Sequence, residues 1–364
     1  MKLQKIIDVI EKFAPSIYQE SYDNSRLLTG NNSMEIRGAL LALDCTEEII
    51  DEAIENDCNL ILCHHPIIFS GLKKITGSNY VERVIIKAIK NDIAIFACHT
   101  NLDNVYQGVN QKIASKIGLV QTEILSPHQG LLKKLITYCP NSYAEKVRTG
   151  LFAAGAGKIG NYDCCSFNSE GTGTFKGNEN ANPFAGEKNN LHYENEIKIE
   201  VIYEKHLQNQ IINALKSNHP YEEVAFDIYS IENSHPKIGS GLIGELKEEE
   251  NEKEFLQRIK KIFNCESIRH TALLGKKVKR IAVCGGSGSF LLNPAISSGA
   301  DIFISADFKY HQFFDADNKI VIADIGHYES EQFTTEIFYD VIQEKLPKFA
   351  VRLTKKNSNP INYL

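Results

Sequence analysis

At 364 residues the chain exceeds the size at which one hydrophobic core keeps growing, so two or more domains are expected. Its 43% hydrophobic and 24% charged residues are those of an ordinary globular protein, and a formal net charge of −6 disfavours a general nucleic-acid or membrane surface, because phosphate binding needs a basic face. No apolar run approaches membrane-spanning length, and nine cysteines, scattered and odd in number, give no disulfide framework and point to a reducing, cytoplasmic setting.

In chain order, Leu3, Ile6, Ile7, Ile10 and Phe13 recur at helical spacing, unlike the continuous apolar core of a signal peptide. Gly38–Leu43 reads as a strand. Thr46 then opens a helix with Glu47 and Glu48 in its first turn, where negative charge suits the dipole, and Leu60–Cys63 is the next strand. A helix around Val81–Lys90 and a strand at Ile93–Ala97 repeat the pattern, so a parallel sheet with helical crossovers is expected.

Leu60–Cys63 delivers His64 and His65 to its C-terminal end, the edge at which open α/β sheets bind ligands. Two adjacent neutral imidazoles suit zinc, iron, nickel or copper better than magnesium or calcium. The plain alternative is a pair of polar loop residues. The following strand ends at His99, Asn101 and Asp103, and parallel neighbours end on the same side, which sets this cluster beside the histidine pair. Here the alternative is that Asp103 only serves the turn HTNLDN.

From about Leu131 the character changes. Residues 132–138 read as a strand, AEKVRTGLFAAGAGKIG as a helix and Gly-rich turn, 169–190 as an exposed loop, and 197–203 as a strand before a helix, a turn and another strand. That order is ferredoxin-like in outline and is expected to be a small α+β domain at 131–235, inserted between core halves at 1–130 and 236–364.

The α/β pattern resumes with a helix at Glu254–Phe263, a strand at Lys277–Cys284 and the turn CGGSGS. The amides of Gly285, Gly286 and Gly288 offer a phosphate cradle at a helix start, although neither a Walker A loop nor the dinucleotide fingerprint is present and a tight turn explains them as well. Ile320–Ala323 is a strand and a helix starts near Ser330. His327 and Glu331, four residues apart across that junction, can face one point at the strand end. His64, His65, Asp103, His327 and Glu331 are too many ligands for one tetrahedral ion with open positions. They suit two ions roughly 3.5–4 Å apart that share a carboxylate, for which Glu331 is the expected bridge.

The segments LILCHHPIIFSGLKKITG, ACHTNLDN, AVCGGSGS and ADIGHYESEQ, in this order, resemble the signature segments of the GTP cyclohydrolase I type 2 homologue family, the NIF-three-like proteins. The likeness spans essentially the whole chain. It implies two related α/β halves forming one core, a toroidal homohexamer, and two divalent metals per subunit, with His65 and Asp103 on one ion, His64 and His327 on the other, and Glu331 on both. GAGKIGNYDCCSF, GTGTFKG, NPFAG and HPYEEVAFDIY are similar to the PII-like or CutA-like insert of longer bacterial members and are a possible regulatory ligand site. Where many members have Trp-Asp-Asn-Val-Gly, this chain has Tyr22-Asp23-Asn24-Ser25-Arg26, which brings a cation toward the cavity wall. It also has Ala306 where a glycine is common before Asp307.

The expected function is that of a dinuclear metal-dependent hydrolase acting on a nucleotide or other phosphorylated small molecule, with zinc, iron, manganese or nickel as the ions. Glu331 and His99 are the expected catalytic residues, His99 orienting water or contacting phosphate, and Lys73 or Lys309 neutralises charge. The rival reading is a non-catalytic metal-binding ring protein with a regulatory or metal-handling role. Nucleic-acid threading is disfavoured by the acidic balance.

Overall fold

The computed structural model describes residues 1–364. It divides into two compact units, one formed by Met1–Pro127 with Lys237–Leu364 and the other by His128–Pro236. No helix is long and apolar enough to cross a membrane.

The larger unit has a mixed α/β fold with two sheets. In the first, the strands run in the order Arg26–Thr29, Ala94–Ala97, Leu60–Cys63, Gly38–Ala42, Ala350–Leu353, and all neighbours are parallel except the edge strand Arg26–Thr29. Gly38–Ala42, Leu60–Cys63 and Ala94–Ala97 are buried at every position, as strands covered on both faces must be. Their crossovers are the helices Glu47–Glu55 and Tyr80–Lys90. Each has its expected start signal: the Thr46 hydroxyl accepts from the Ile49 amide and the Asn79 side chain from the Glu82 amide. Ile49, Ile50, Ala53, Val84, Ile85 and Ala88 turn into the core that these helices share with the strands.

The second sheet has the order Arg269–His270, Val321–Asp324, Ile302–Ala306, Lys277–Ser287, Gly239–Asn251, Val120–Pro127, with its three middle strands Lys277–Ser287, Ile302–Ala306 and Val321–Asp324 parallel. The halves of the core exchange edges. Val120–Pro127, from before the insert, pairs in the second sheet, and Ala350–Leu353, at the chain's end, completes the first. Edge strands left open invite pairing with other chains, and each exchange covers one.

The smaller unit runs strand Leu132–Pro140, helix Ala144–Ala153, strands Phe167–Phe175 and His192–Glu204, helix Gln208–Asn218, strand Phe226–Ser230. Its antiparallel sheet has the order Phe167–Phe175, His192–Glu204, Leu132–Pro140, Phe226–Ser230. Val147, Leu151, Ile211 and Leu215 of the helices pack on Leu135, Ile199 and Val201 of the sheet. One expectation is corrected here: the stretch 169–190 is not all loop, because Phe167–Phe175 is a strand. Its Gly, Ser and Thr residues lack apolar alternation because the strand is an exposed edge, and its register comes from nine residue pairs along the long strand His192–Glu204.

Candidate metal centre

Parallel strands place their C-terminal ends along one edge, and in the larger unit both sheets bring such ends to the same place. Leu60–Cys63 leads into His64 and His65, Ala94–Ala97 into His99 and the short helix Thr100–Asn104, and Val321–Asp324 into the helix His327–Glu331. His327 and Glu331 therefore lie one turn apart on a single helix, not across a strand-to-helix junction. That spacing brings His327 Nε2 to 3.1 Å from Glu331 Oε2.

All five residues singled out as ligands converge. His65 Nε2 lies 2.9 Å from Glu331 Oε2 and 3.3 Å from His327 Nε2. On the other side, His64 Nε2 lies 3.5 Å from Asp103 Oδ1 and 3.8 Å from Glu331 Oε1. Glu331 thus spends one oxygen on each group, and the groups are His65, His327, Glu331 and His64, Asp103, Glu331. His64 lies beside Asp103 and His65 beside His327, and the two imidazoles also share a third group with His99. The cause lies in what holds each ring. His64 Nδ1 donates to the Cys98 carbonyl at 2.9 Å, which ties its ring to the strand end carrying Asp103, whereas His65 Nδ1 is held at 2.7 Å by Asp44 Oδ1.

The donor set fits a cation. His64 is fully buried, and its Nε2 and Asp103 Oδ1 are buried atoms without a hydrogen-bond partner, which is costly unless something positive and electron-accepting lies between them. The charges make the same demand. Burial would lower the pKa of His65, yet hydrogen bonds to Asp44 and Glu331 push it up to about 10. His327 is likewise pushed up to about 11 against its burial, by the charge of Glu331 and the hydrogen bond to Asp307. Burial and the Glu331 charge raise the Asp103 carboxyl, while Glu331 itself is held low, against its burial, by His327 and the other imidazoles. A metal ion replaces such protons when it binds.

Three carboxylates that sequence reasoning passed over as site residues orient the rings. Asp44 follows the strand Gly38–Ala42 and holds His65. Asp307 follows Ile302–Ala306 and accepts from His327 Nδ1 at 2.6 Å, and Asp23 accepts from His99 Nδ1 at 2.8 Å. Acid at the end of a parallel strand was the available signal for the first two; nothing local marks Asp23. A ligating histidine that donates its other N–H to a carboxylate has its tautomer and orientation set. His99 also offers a ligand atom within 4.8 Å of those of His64 and His65. Beside it, Phe69 lies with ring centroids 6.3 Å apart and pairs in turn with Tyr22, both largely exposed.

Two other expectations are corrected. The amides of Gly285 and Gly286 are engaged by Asn110 Oδ1 and Ser330 Oγ, both at 2.9 Å, so they do not cradle phosphate. Gly286 has φ +59°, and a Cβ there would come within 2.4 Å of Glu331 Oε1, so the glycine makes room for the carboxylate. Arg26 turns its Nε to Ser16 Oγ at 2.9 Å.

Residues 1–360 match the family model described as Duf34/NIF3 (NGG1p interacting factor 3). This chain belongs to the Duf34/NIF3 family. Among its relatives, a Bacillus subtilis protein named GTP cyclohydrolase 1 type 2 homolog is 38% identical over 99% of this chain and 98% of its own, and one of the same name from Halalkalibacterium halodurans is 40% identical over 95% and 92%. A Bacillus cereus crystal structure, described as a protein related to NIF3, superposes with a TM-score of 0.86 at 36% identity, covering 100% of this chain and 99% of that one. A Duf34/NIF3 chain with clustered histidines and carboxylates able to hold metal is thus what the sequence resemblance led one to expect.

Proposed function

We propose that this Duf34/NIF3 protein carries two divalent metal ions per subunit and is a metal-dependent hydrolase of a nucleotide or other phosphorylated small molecule. The observation that carries the reading is Glu331, whose two oxygens address two separate groups while His64 Nε2 and Asp103 Oδ1 remain buried without a hydrogen-bond partner. When bound, divalent ions supply Lewis-acid polarisation of a phosphoryl or carbonyl oxygen. The chain does the rest. Asp44, Asp307 and the Cys98 carbonyl hold three imidazoles in place, and Glu331 sets the separation of the two groups. His99, oriented by Asp23 and 16% exposed, is placed to hold or move a proton at Nε2, since Nδ1 is committed. Tyr22 and Phe69 offer exposed aromatic faces beside it on which a base can stack. The name carried by the relatives makes guanine-nucleotide ring opening a narrower form of the same reading.

The wider reading includes a homohexamer, for which the exposed Tyr310 and Phe314 supply apolar contact area, and a cytoplasmic setting suited to nine free cysteines. It also includes a PII-like or CutA-like character for the unit His128–Pro236, supported by its ferredoxin-like strand and helix order. The deciding experiment is elemental analysis of the protein as isolated, followed by a panel of nucleotides and phosphoesters with zinc, iron, manganese and nickel. Near two equivalents of metal per chain and turnover abolished in Glu331→Gln are expected. No turnover with any of these ions, or turnover undiminished in Glu331→Gln, would refute the hydrolase.

A further inference from the structure

The smaller unit has a pocket of its own, of about 690 Å³, within the range of sites that enclose small organic ligands. It lies on the sheet face opposite the two helices. Three sequence segments that the metal centre leaves unused, GTGTFKG, NPFAG and HPYEE, supply its walls. Phe175, Phe184 and Tyr221 form one continuous aromatic wall: ring centroids lie 5.7 Å apart for Phe175 and Tyr221 and 6.1 Å for Phe184 and Tyr221. The planes of neighbouring rings are inclined by 61° and 47°, so each ring presents its own face or edge to the pocket.

Opposite the wall the sheet is bare. Gly171 and Gly173 of the strand Phe167–Phe175 leave the backbone open, and the carboxylate of Glu196 lies across Gly173, where a Cβ would meet Glu196 Oε2 at 2.1 Å. Glu196 is only 8% exposed. The Tyr221 hydroxyl donates to its Oε1 at 2.8 Å, and no group of the protein donates to Oε2. That second oxygen, beside an aromatic wall, is an acceptor open to a ligand that brings N–H donors on a flat ring.

The rest of the lining sets the ligand's charge. Glu170, Glu222 and Glu223 join Glu196, against Lys176 and Lys198, and Lys198 is already paired with Glu200 at 2.6 Å. Such a balance repels phosphate.

We propose that this pocket binds a flat, unphosphorylated nitrogen heterocycle of the nucleobase or nucleoside class, its ring N–H groups donating to Glu196 and its face lying on one ring of the wall formed by Phe175, Phe184 and Tyr221. The site is independent of the metal centre and of the hydrolase reading.

Isothermal titration calorimetry of the full chain, with EDTA present so that the metal centre takes up no triphosphate, using guanosine, adenosine, cytidine and uridine, their 5′-triphosphates and spermidine, tests it. At least one nucleoside is expected to bind at one site per chain, at least tenfold tighter than its triphosphate. Glu196→Gln, which keeps an acceptor for Tyr221 but removes the charge, should weaken that binding at least tenfold, and Glu331→Gln should leave it unchanged. Phe184 is 50% exposed, so Phe184→Ala spares the fold and should also weaken binding, which keeps the test decisive if Glu196→Gln fails to fold. The proposal fails if no nucleoside binds, if triphosphates or spermidine bind as tightly, if Phe184→Ala or a folded Glu196→Gln binds normally, or if Glu331→Gln abolishes binding.

Discussion

The candidate metal centre of the larger unit and the pocket of the smaller one are built in opposite ways. In the first, side chains from segments more than 260 residues apart in sequence approach within 2.9–3.3 Å, and three of the imidazoles are held from behind by Asp44, Asp307 and the Cys98 carbonyl. In the second, one hairpin and its connecting loop supply most of the surface, aromatic rings stand beside charged side chains, and one oxygen of the largely buried Glu196 carboxylate is left to a ligand. An ion gains most from a few donors aimed at a point, so its site needs rigid strand ends from distant parts of the chain. A flat organic ligand gains from contact area, which a local stretch of chain can provide.

The contrast is broken hardest at Gly286. Gly286→Ala pushes a Cβ toward Glu331 at a positive φ, so we expect loss of metal from the isolated protein and about 1–3 kcal/mol of destabilisation, read by elemental analysis and thermal melting. The pocket should be unaffected. Next come the carboxylates behind the ligands. Asp44→Asn and Asp307→Asn should each weaken metal affinity about 10- to 100-fold in chelator competition without unfolding the chain. Equal affinity in both variants would mean that the imidazoles need no orienting partner. Smaller is the effect of Ser358, near the C-terminus, whose hydroxyl donates to Asp44 Oδ2 at 2.6 Å. Ser358→Ala removes one hydrogen bond and should cost about two- to tenfold in metal affinity.

The smallest effect appears only in acid. The Glu82 carboxylate accepts from the Ser78 and Thr76 amides and hydroxyls and from Asn79, which pins the end of the loop that follows His64 and His65. These bonds, led by those of the Ser78 and Thr76 amides, hold its pKa down to about 2 from the usual 4.5. Its stabilisation is therefore complete above about pH 4.5 and is lost as the pH falls toward 2. Melting temperatures of Glu82→Gln should fall less steeply than wild type across that window, and parallel curves would show that the loop is held by something else.

Much of the larger unit is legible locally. The strand predicted at Gly38–Leu43 is found at Gly38–Ala42, and the helix predicted around Val81–Lys90 at Tyr80–Lys90, because buried parallel strands are short apolar runs and their crossover helices carry side-chain caps. The strand Phe167–Phe175 was hidden because an exposed edge carries no alternation to read. At the site, the five ligand candidates follow from residue type and position at strand ends. Asp23 does not, since its role depends on a loop folding back onto His99, 76 residues away.

What the sequence alone determined is which residues stand at the ends of which strands, since hydrophobic periodicity and capping are local and a parallel sheet turns them into one shared edge. Only the tertiary structure decided how those residues divide. The Cys98 carbonyl turns His64 toward Asp103, Asp44 and Glu331 hold His65 beside His327, and Gly286 gives Glu331 room to reach both groups. Ring orientation depends on the atom that holds the far nitrogen, and that atom comes from a different strand each time.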